Sequence, residues 1–209
     1  MIIGITGNRY HGKSEIIKIM QRLYGYQTGH AFAAGKAMSK AYFMYCGATE
    51  EDAEAMINGH LKDEPSPYLP HVGPFSQCQT QGTPRFFMET LGNLMPTYMG
   101  VAWTSGVVID RVLSGMDLSE RAVEKQPRVV FDSIVYEDKL FHSYKIPLVK
   151  VYNPNPKKYI QGLMTDDYVA ALDTDYVILN DGNLGDLEDK VVHLMTKLGI
   201  TQIGAPNER

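Results

Sequence analysis

Cysteine is nearly absent from this chain. Only Cys46 and Cys78 occur, and they make no metal-ligand spacing. A disulfide scaffold is thereby excluded, and a reducing, cytoplasmic setting is the simplest expectation. No apolar run approaches the ~20 residues that a bilayer-spanning helix needs, so no membrane partner is expected. Met1 to Thr6 carries no basic stretch, so a secretory signal is not expected either. Positive charge is in deficit: 20 Lys and Arg stand against 24 Asp and Glu, a formal net charge of -4, so an overall basic field for nucleic acid is missing. No arginine occurs between Arg128 and Arg209. What is present is a globular balance. Hydrophobic residues make up 44% and charged residues 21% of 209 residues, enough for the core of one α/β domain with an insert.

Along the chain, apolar runs alternate with helical periodicity. Met1 to Thr6 reads as a buried parallel strand, and Ser14 to Tyr24 as a helix stopped by Gly25. A second strand is expected within Tyr26–Phe32, and a helix over Ala33–Tyr45. Thr49 with Asp52 then caps a short helix to Ile57. Lys62 to Gly82, with Pro65, Pro67, Pro70 and Pro74, breaks the pattern as a long irregular segment. Thr83-Pro84 opens another helix, and a further helical stretch is expected from Thr97 to Leu113. Arg128 to Phe131, Pro147 to Tyr152 and Tyr176 to Leu179 read as strands. Tyr136–Ser143 and Leu184–Leu198 read as helices. Strands alternating with helices predict a parallel sheet covered on both faces.

Gly7-Asn8-Arg9-Tyr10-His11-Gly12-Lys13-Ser14 matches G-x-x-x-x-G-K-[ST] at every fixed position, between a strand and a helix. The chemistry explains the residue types. Glycines let backbone N–H groups wrap a polyphosphate, the helix start adds its positive end, Lys13 meets the β and γ phosphates, and the Ser14 hydroxyl ligates Mg²⁺. Cofactor contacts are therefore expected from Gly7, Asn8, Gly12, Lys13 and Ser14, with ATP as co-substrate. Arg9 and His11 either touch a phosphate or point into water. Asp132, at the end of the run Val129-Val130-Phe131, fits a second acid on the Mg²⁺ side, beside Ser14.

The sequence resembles the deoxynucleoside monophosphate kinases of tailed bacteriophages, a P-loop kinase family. Ile3-Gly4-Ile5-Thr6-Gly7 with Gly12-Lys13-Ser14 resembles its first strand and loop. Phe32-Ala33-Ala34-Gly35-Lys36 resembles the segment after its second strand. Thr83-Pro84-Arg85 through Glu89-Thr90-Leu91-Gly92 resembles its T-P-R…Q-x-L-G-T helix. Val129 to Asp132 resembles its V-V-x-D strand, and Ile178 to Leu187 its closing I-x-N-D-G-S-L-x-E-L motif. The resemblance implies a core of about 1–32 and 126–209, a helical acceptor-binding insert of about 33–125 and a lid of about 153–168. It also implies a nucleotide acceptor held by Lys36, Arg85 and Glu89, a catalytic set of Lys13, Asp132 and Arg85, and a cofactor contact from Asn180. A phage source would mean the host cytoplasm.

The departures bear on the acceptor. Asp132-Ser133-Ile134 stands where the family has D-x-R, Asn153-Pro154 where it has Arg-Pro, and Glu89 where it has glutamine. Lys157 and Lys158 are the cations left in the lid, and they act as point charges rather than forks. Three readings follow: a monophosphate kinase with a divergent acceptor site, a kinase for a hydroxyl on a modified base such as 5-hydroxymethyluracil in DNA, and a nucleotide-binding module with impaired catalysis. For the second, Phe86, Phe87, Trp103 and the aromatic residues of Pro65–Phe75 offer stacking surfaces. The oligomeric state stays open, with a homodimer among the alternatives.

Overall fold

The computed structural model describes residues 1–69, 82–114, 128–156 and 164–203. Strands β1 (Ile2–Thr6), β2 (Gln27–His30), β3 (Val129–Asp132), β4 (Leu148–Tyr152) and β5 (Tyr176–Leu179) form one sheet in the order β2-β3-β1-β4-β5. Every neighbouring pair is parallel. The helices are α1 (Lys13–Tyr24), α2 (Ala33–Tyr45), α3 (Glu50–Asn58), α4 (Pro84–Met99), α5 (Ser105–Leu113), α6 (Asp138–Ser143), α7 (Met164–Ala171) and α8 (Leu184–Lys197). The fold is the expected α/β class.

The period-two alternation of the strands decides which helix covers which face. Ile3 and Ile5 of β1 pack with Val130, Val149 and Ile178 in one buried cluster. Ile16 and Met20 of α1 and Val191 and Met195 of α8 close over it. Each fully buried aliphatic side chain there contributes about 1.5–3 kcal/mol. Between those isoleucines, Gly4 points to the opposite face, where an added Cβ would run into the rings of Phe141 and the Leu148 side chain. Phe131 registers with Gly4 on one side and Gly29 on the other. A Cβ on Gly29 would meet its ring. Gly4 thus makes room for Phe141 of α6 and Gly29 for Phe131, and the two rings meet edge-on at 6.0 Å. This packing covers the second face and keeps β3 tight against β1 and β2.

The chain divides into two compact units, Met1–Ala31 with Ile109–Arg209, and Phe32–Val108. The second unit has its own core, with Phe43 of α2, Ala53 and Met56 of α3, and Met88 of α4. Its helix starts follow the caps seen in the sequence. The Thr49 side chain accepts from Asp52 N at 3.0 Å, and Thr83 from Phe86 N at 3.2 Å with Pro84 in the first turn.

Three elements differ from expectation. The stretch from Thr97 to Leu113 is not one helix. α4 runs through Pro96 to Met99 and ends at Gly100, whose φ of 85° no other residue type adopts cheaply; a short 3₁₀ turn, Val101–Trp103, precedes α5. α6 begins at Asp138 rather than Tyr136, because the Glu137 carboxylate accepts from Val135 N and Tyr136 N at 2.8 and 2.9 Å and holds them in a loop. α7 was not expected at all, since Met164 to Ala171 lacks an apolar stripe at helical spacing. Residues 70–81 of the Pro-rich segment, 115–127 at the end of the expected insert, and 157–163 of the expected lid, with Lys157 and Lys158, lie outside the described residues.

Candidate functional site

β1 lies in the middle of the sheet, between β3 and β4, and its carboxyl end feeds the loop Gly7–Ser14. In open parallel sheets that end is where ligands meet the fold. Gly7 and Gly12 have φ of 138° and 102°. At Gly7 space demands glycine as firmly as conformation does, because the neighbour is backbone. A Cβ on Gly7 would strike the Val151 carbonyl oxygen of β4, and one on Gly12 the Asn180 side-chain nitrogen. Tyr10 between them is also left-handed, at φ 63°. For a bulky residue that costs about 1–2 kcal/mol.

The Lys13 ammonium turns back over the loop and donates to the carbonyls of Gly7 at 2.5 Å and Asn8 at 2.8 Å. α1 starts at Lys13 with Gly12 as its N-cap residue and no side-chain cap, whereas Thr49, Thr83 and Asn183 cap α3, α4 and α8. A positive helix end, a cation and glycine backbone therefore converge on one loop. Ser14, second in α1, lines the cleft beside them. His11 does not point into water. It is 7% exposed, its Nδ1 lies 3.3 Å from the Val151 carbonyl oxygen, and its ring meets Tyr152 edge-on at 5.6 Å. It braces the loop against β4.

The cleft beside the loop has a volume of about 680 Å³. Arg9, Tyr10, Lys13 and Ser14 form the loop side. Asn153, Asn180, Asn183 and Leu184 form the other. Asn180 ties the two together, donating from Nδ2 to His11 O at 2.9 Å. Asn183 uses its Oδ1 to cap α8, accepting from Gly185 N and Asp186 N, while Asp186 accepts from Asn183 N. Lys190 donates to the Leu179 carbonyl at 2.7 Å and to Asp181 at 2.6 Å, which holds the Asp181 carboxyl below its usual range and fastens the segment between β5 and α8.

Asp132 ends β3, one residue past Phe131, which registers with Gly4 of β1. It therefore stands at the carboxyl edge of the sheet, next to the strand that leads into the loop. Its Oδ1 lies 3.9 Å from His30 Nε2 of β2. Ser133 follows at φ 59°, a strained turn that brings the Ile134 carbonyl to the Thr6 hydroxyl at 2.6 Å. Asp132 is not among the residues lining the 680 Å³ cleft. Among the described residues no group of three or more His, Cys, Asp or Glu could hold a metal ion. A Mg²⁺ here would depend on phosphate oxygens and water beside one or two protein ligands, which is its ordinary mode at phosphates.

The expected acceptor residues lie in the helical unit. Arg85 forks onto Asp63 through Nε and Nη2, the latter at 2.8 Å, and its Nη1 is 3.9 Å from Glu89 Oε1. Lys36 donates to Asn58 Oδ1 at 2.8 Å. Of the expected stacking aromatics, Phe87 packs against the unit's core and stacks on Tyr42 at 4.7 Å, while Trp103 is 60% exposed. Tyr10, Asn183 and Asp63 had no expected role, and Asn153 stood only as a departure from the resembled family. An aromatic inside the phosphate motif was the one signal available for Tyr10; nothing in sequence links Asp63 to Arg85.

No protein-family model matches the chain, and no curated protein matches it. Among solved structures it is similar to the crystal structure of TT1252 from Thermus thermophilus, at 19% identity and a TM-score of 0.45, over 95% of this chain and 97% of that one. No function passes to this chain from that likeness.

Proposed function

We propose that the chain binds a nucleoside triphosphate with Mg²⁺ at Gly7–Ser14 and passes its terminal phosphoryl group to a nucleotide acceptor, a deoxynucleoside monophosphate in the first instance. The carrying observation is the loop itself. Lys13 is folded over carbonyls of a turn that has no room for a side chain at Gly7 and takes φ 102° at Gly12, on a helix start without a side-chain cap. Phosphate oxygens with full negative charge are stronger acceptors for that ammonium than neutral carbonyls, so the triphosphate takes their place. In the transfer, an acceptor oxygen bonds to the γ-phosphorus as the bond to the β–γ bridging oxygen breaks, and the diphosphate leaves. Lys13 and the loop N–H groups stabilise the charge on the leaving side. Asp132 orients the attacking acceptor oxygen, or would, with Ser14, hold Mg²⁺. Mg²⁺ supplies neutralisation of the phosphate charge when bound.

A second reading has one observation in its favour. Arg85 already holds a carboxylate fork with Asp63, so an acceptor phosphate must exchange one anion for another. An acceptor hydroxyl without its own phosphate, such as that of a hydroxymethylated base in DNA, needs no such exchange. Incubation with γ-labelled ATP, a panel of deoxynucleoside monophosphates and hydroxymethylated DNA separates the two. Label on a monophosphate supports the first reading, and label on DNA alone replaces it with the second. Lys13→Ala should remove most transfer and weaken ATP binding at least tenfold by calorimetry. Unchanged ATP binding in that variant sinks the assignment.

A further inference from the structure

Within the loop, Tyr10 is the non-glycine residue that takes a left-handed conformation, at φ 63°. Glycine, asparagine or aspartate would sit there at less cost. The chain instead holds a ring at this position, 50% exposed, on the wall of the cleft that contains Lys13 and Ser14. It is the only aromatic among the described lining residues. Arg9 lines the same cleft, and two further loop residues are committed elsewhere. His11 is packed into β4, and Lys13 reaches the loop carbonyls. The backbone cradle and Lys13 can read a polyphosphate, but they cannot tell whether a nucleoside is attached to it. An exposed ring at the cleft wall can, because every base has a π-face, and stacking on an aromatic side chain changes affinity by about fivefold to a hundredfold.

We propose that Tyr10 is the residue by which this site distinguishes a nucleoside triphosphate from bare tripolyphosphate, through its ring stacking on the nucleoside and without selecting among bases. The proposal rests on the triphosphate reading above. The half-exposed ring gains its packing partner when the ligand arrives, and the left-handed backbone holds it on the cleft wall.

The test is calorimetric titration of Mg²⁺-ATP and Mg²⁺-tripolyphosphate into the full chain and its Tyr10→Phe, Tyr10→Gly and Tyr10→Asn variants, with a melting curve for each. The wild type should bind ATP at least about fivefold more tightly than tripolyphosphate, and Tyr10→Phe should keep that ratio. Tyr10→Gly and Tyr10→Asn should lose about fivefold or more for ATP, keep tripolyphosphate within about twofold, and melt no lower than the parent, because both residues accept φ 63°. An unchanged ratio in these two variants overturns the proposal and leaves triphosphate binding standing. Equal losses for both ligands also overturn it and assign Tyr10 to loop shape. A wild type that binds neither ligand overturns the triphosphate reading and this inference with it.

Discussion

Lys13 of the sheet unit and Arg85 of the helical unit are held by different kinds of acceptor. In the sheet unit, Lys13 donates to neutral carbonyls of its own loop. In the helical unit, Arg85 is forked onto Asp63 with Glu89 close by, and Lys40 is shared between Glu50 and Glu54. A carbonyl carries a partial charge, so exchanging it for phosphate is a net electrostatic gain. A carboxylate carries a full charge, so exchanging it is close to neutral and mainly sets geometry. The difference teaches that Lys13 has neutral acceptors to exchange for a polyanion, while Arg85 must give up an ion pair to take one.

The largest effect that could break this comparison lies at the edge of the sheet. Asp132→Asn keeps the shape of the side chain and removes its charge. Turnover should fall at least tenfold with the melting temperature within a few degrees of the parent. Full activity in steady-state assays would reduce Asp132 to a strand-end residue beside His30 and leave Lys13 as the whole of the sheet unit's chemistry.

A smaller effect sharpens the helical side. Arg85→Lys keeps the charge and loses the fork. The Michaelis constant for the acceptor should rise several-fold while that for ATP stays within about twofold. If both constants hold, Arg85 is a structural residue forked onto Asp63, and its i,i+4 pairing with Glu89 contributes about 0.3–0.5 kcal/mol.

The smallest effect separates folding from chemistry. Tyr26 lies in the sheet unit's core, and burial pushes its hydroxyl up to about 12, with Arg128 acting weakly the other way. The unfolded value is about 10. A raised folded pKa gives stability that is complete below pH about 10 and is lost as pH rises toward about 12, because the unfolded chain releases the proton first. Melting temperatures between those pH values should fall more steeply for the wild type than for Tyr26→Phe. Parallel curves would mean that the Tyr26 hydroxyl is hydrated. Near neutral pH, Tyr26→Phe should not destabilise, since the buried hydroxyl has no hydrogen-bond partner among the described residues.

Local rules were legible where one residue type carries one conformation. Thr49 and Thr83-Pro84 mark helix starts, Gly25 marks a helix stop, and the glycines and Lys13 mark the loop; all are short-range features. Ala33–Tyr45 and Tyr176–Leu179 also fall at their expected bounds. The break at Gly100 was missed because an isolated glycine in a helical pattern is tolerated as often as it terminates. α7 was missed because a short helix with a weak stripe is held by packing rather than by propensity.

By itself, the sequence determined the α/β class, the alternation that buries Ile3 and Ile5, and the presence of a phosphate motif between strand and helix. These depend on period, propensity and contiguous residues. Only the tertiary structure decided that β1 lies between β3 and β4, that Asn180 and the Val151 carbonyl press on Gly12 and Gly7, that His11 turns inward, and that Asp63 holds Arg85. Those pairings join residues far apart along the chain. Their partners are selected by sheet order and by the space left after packing, and neither is written in any local window.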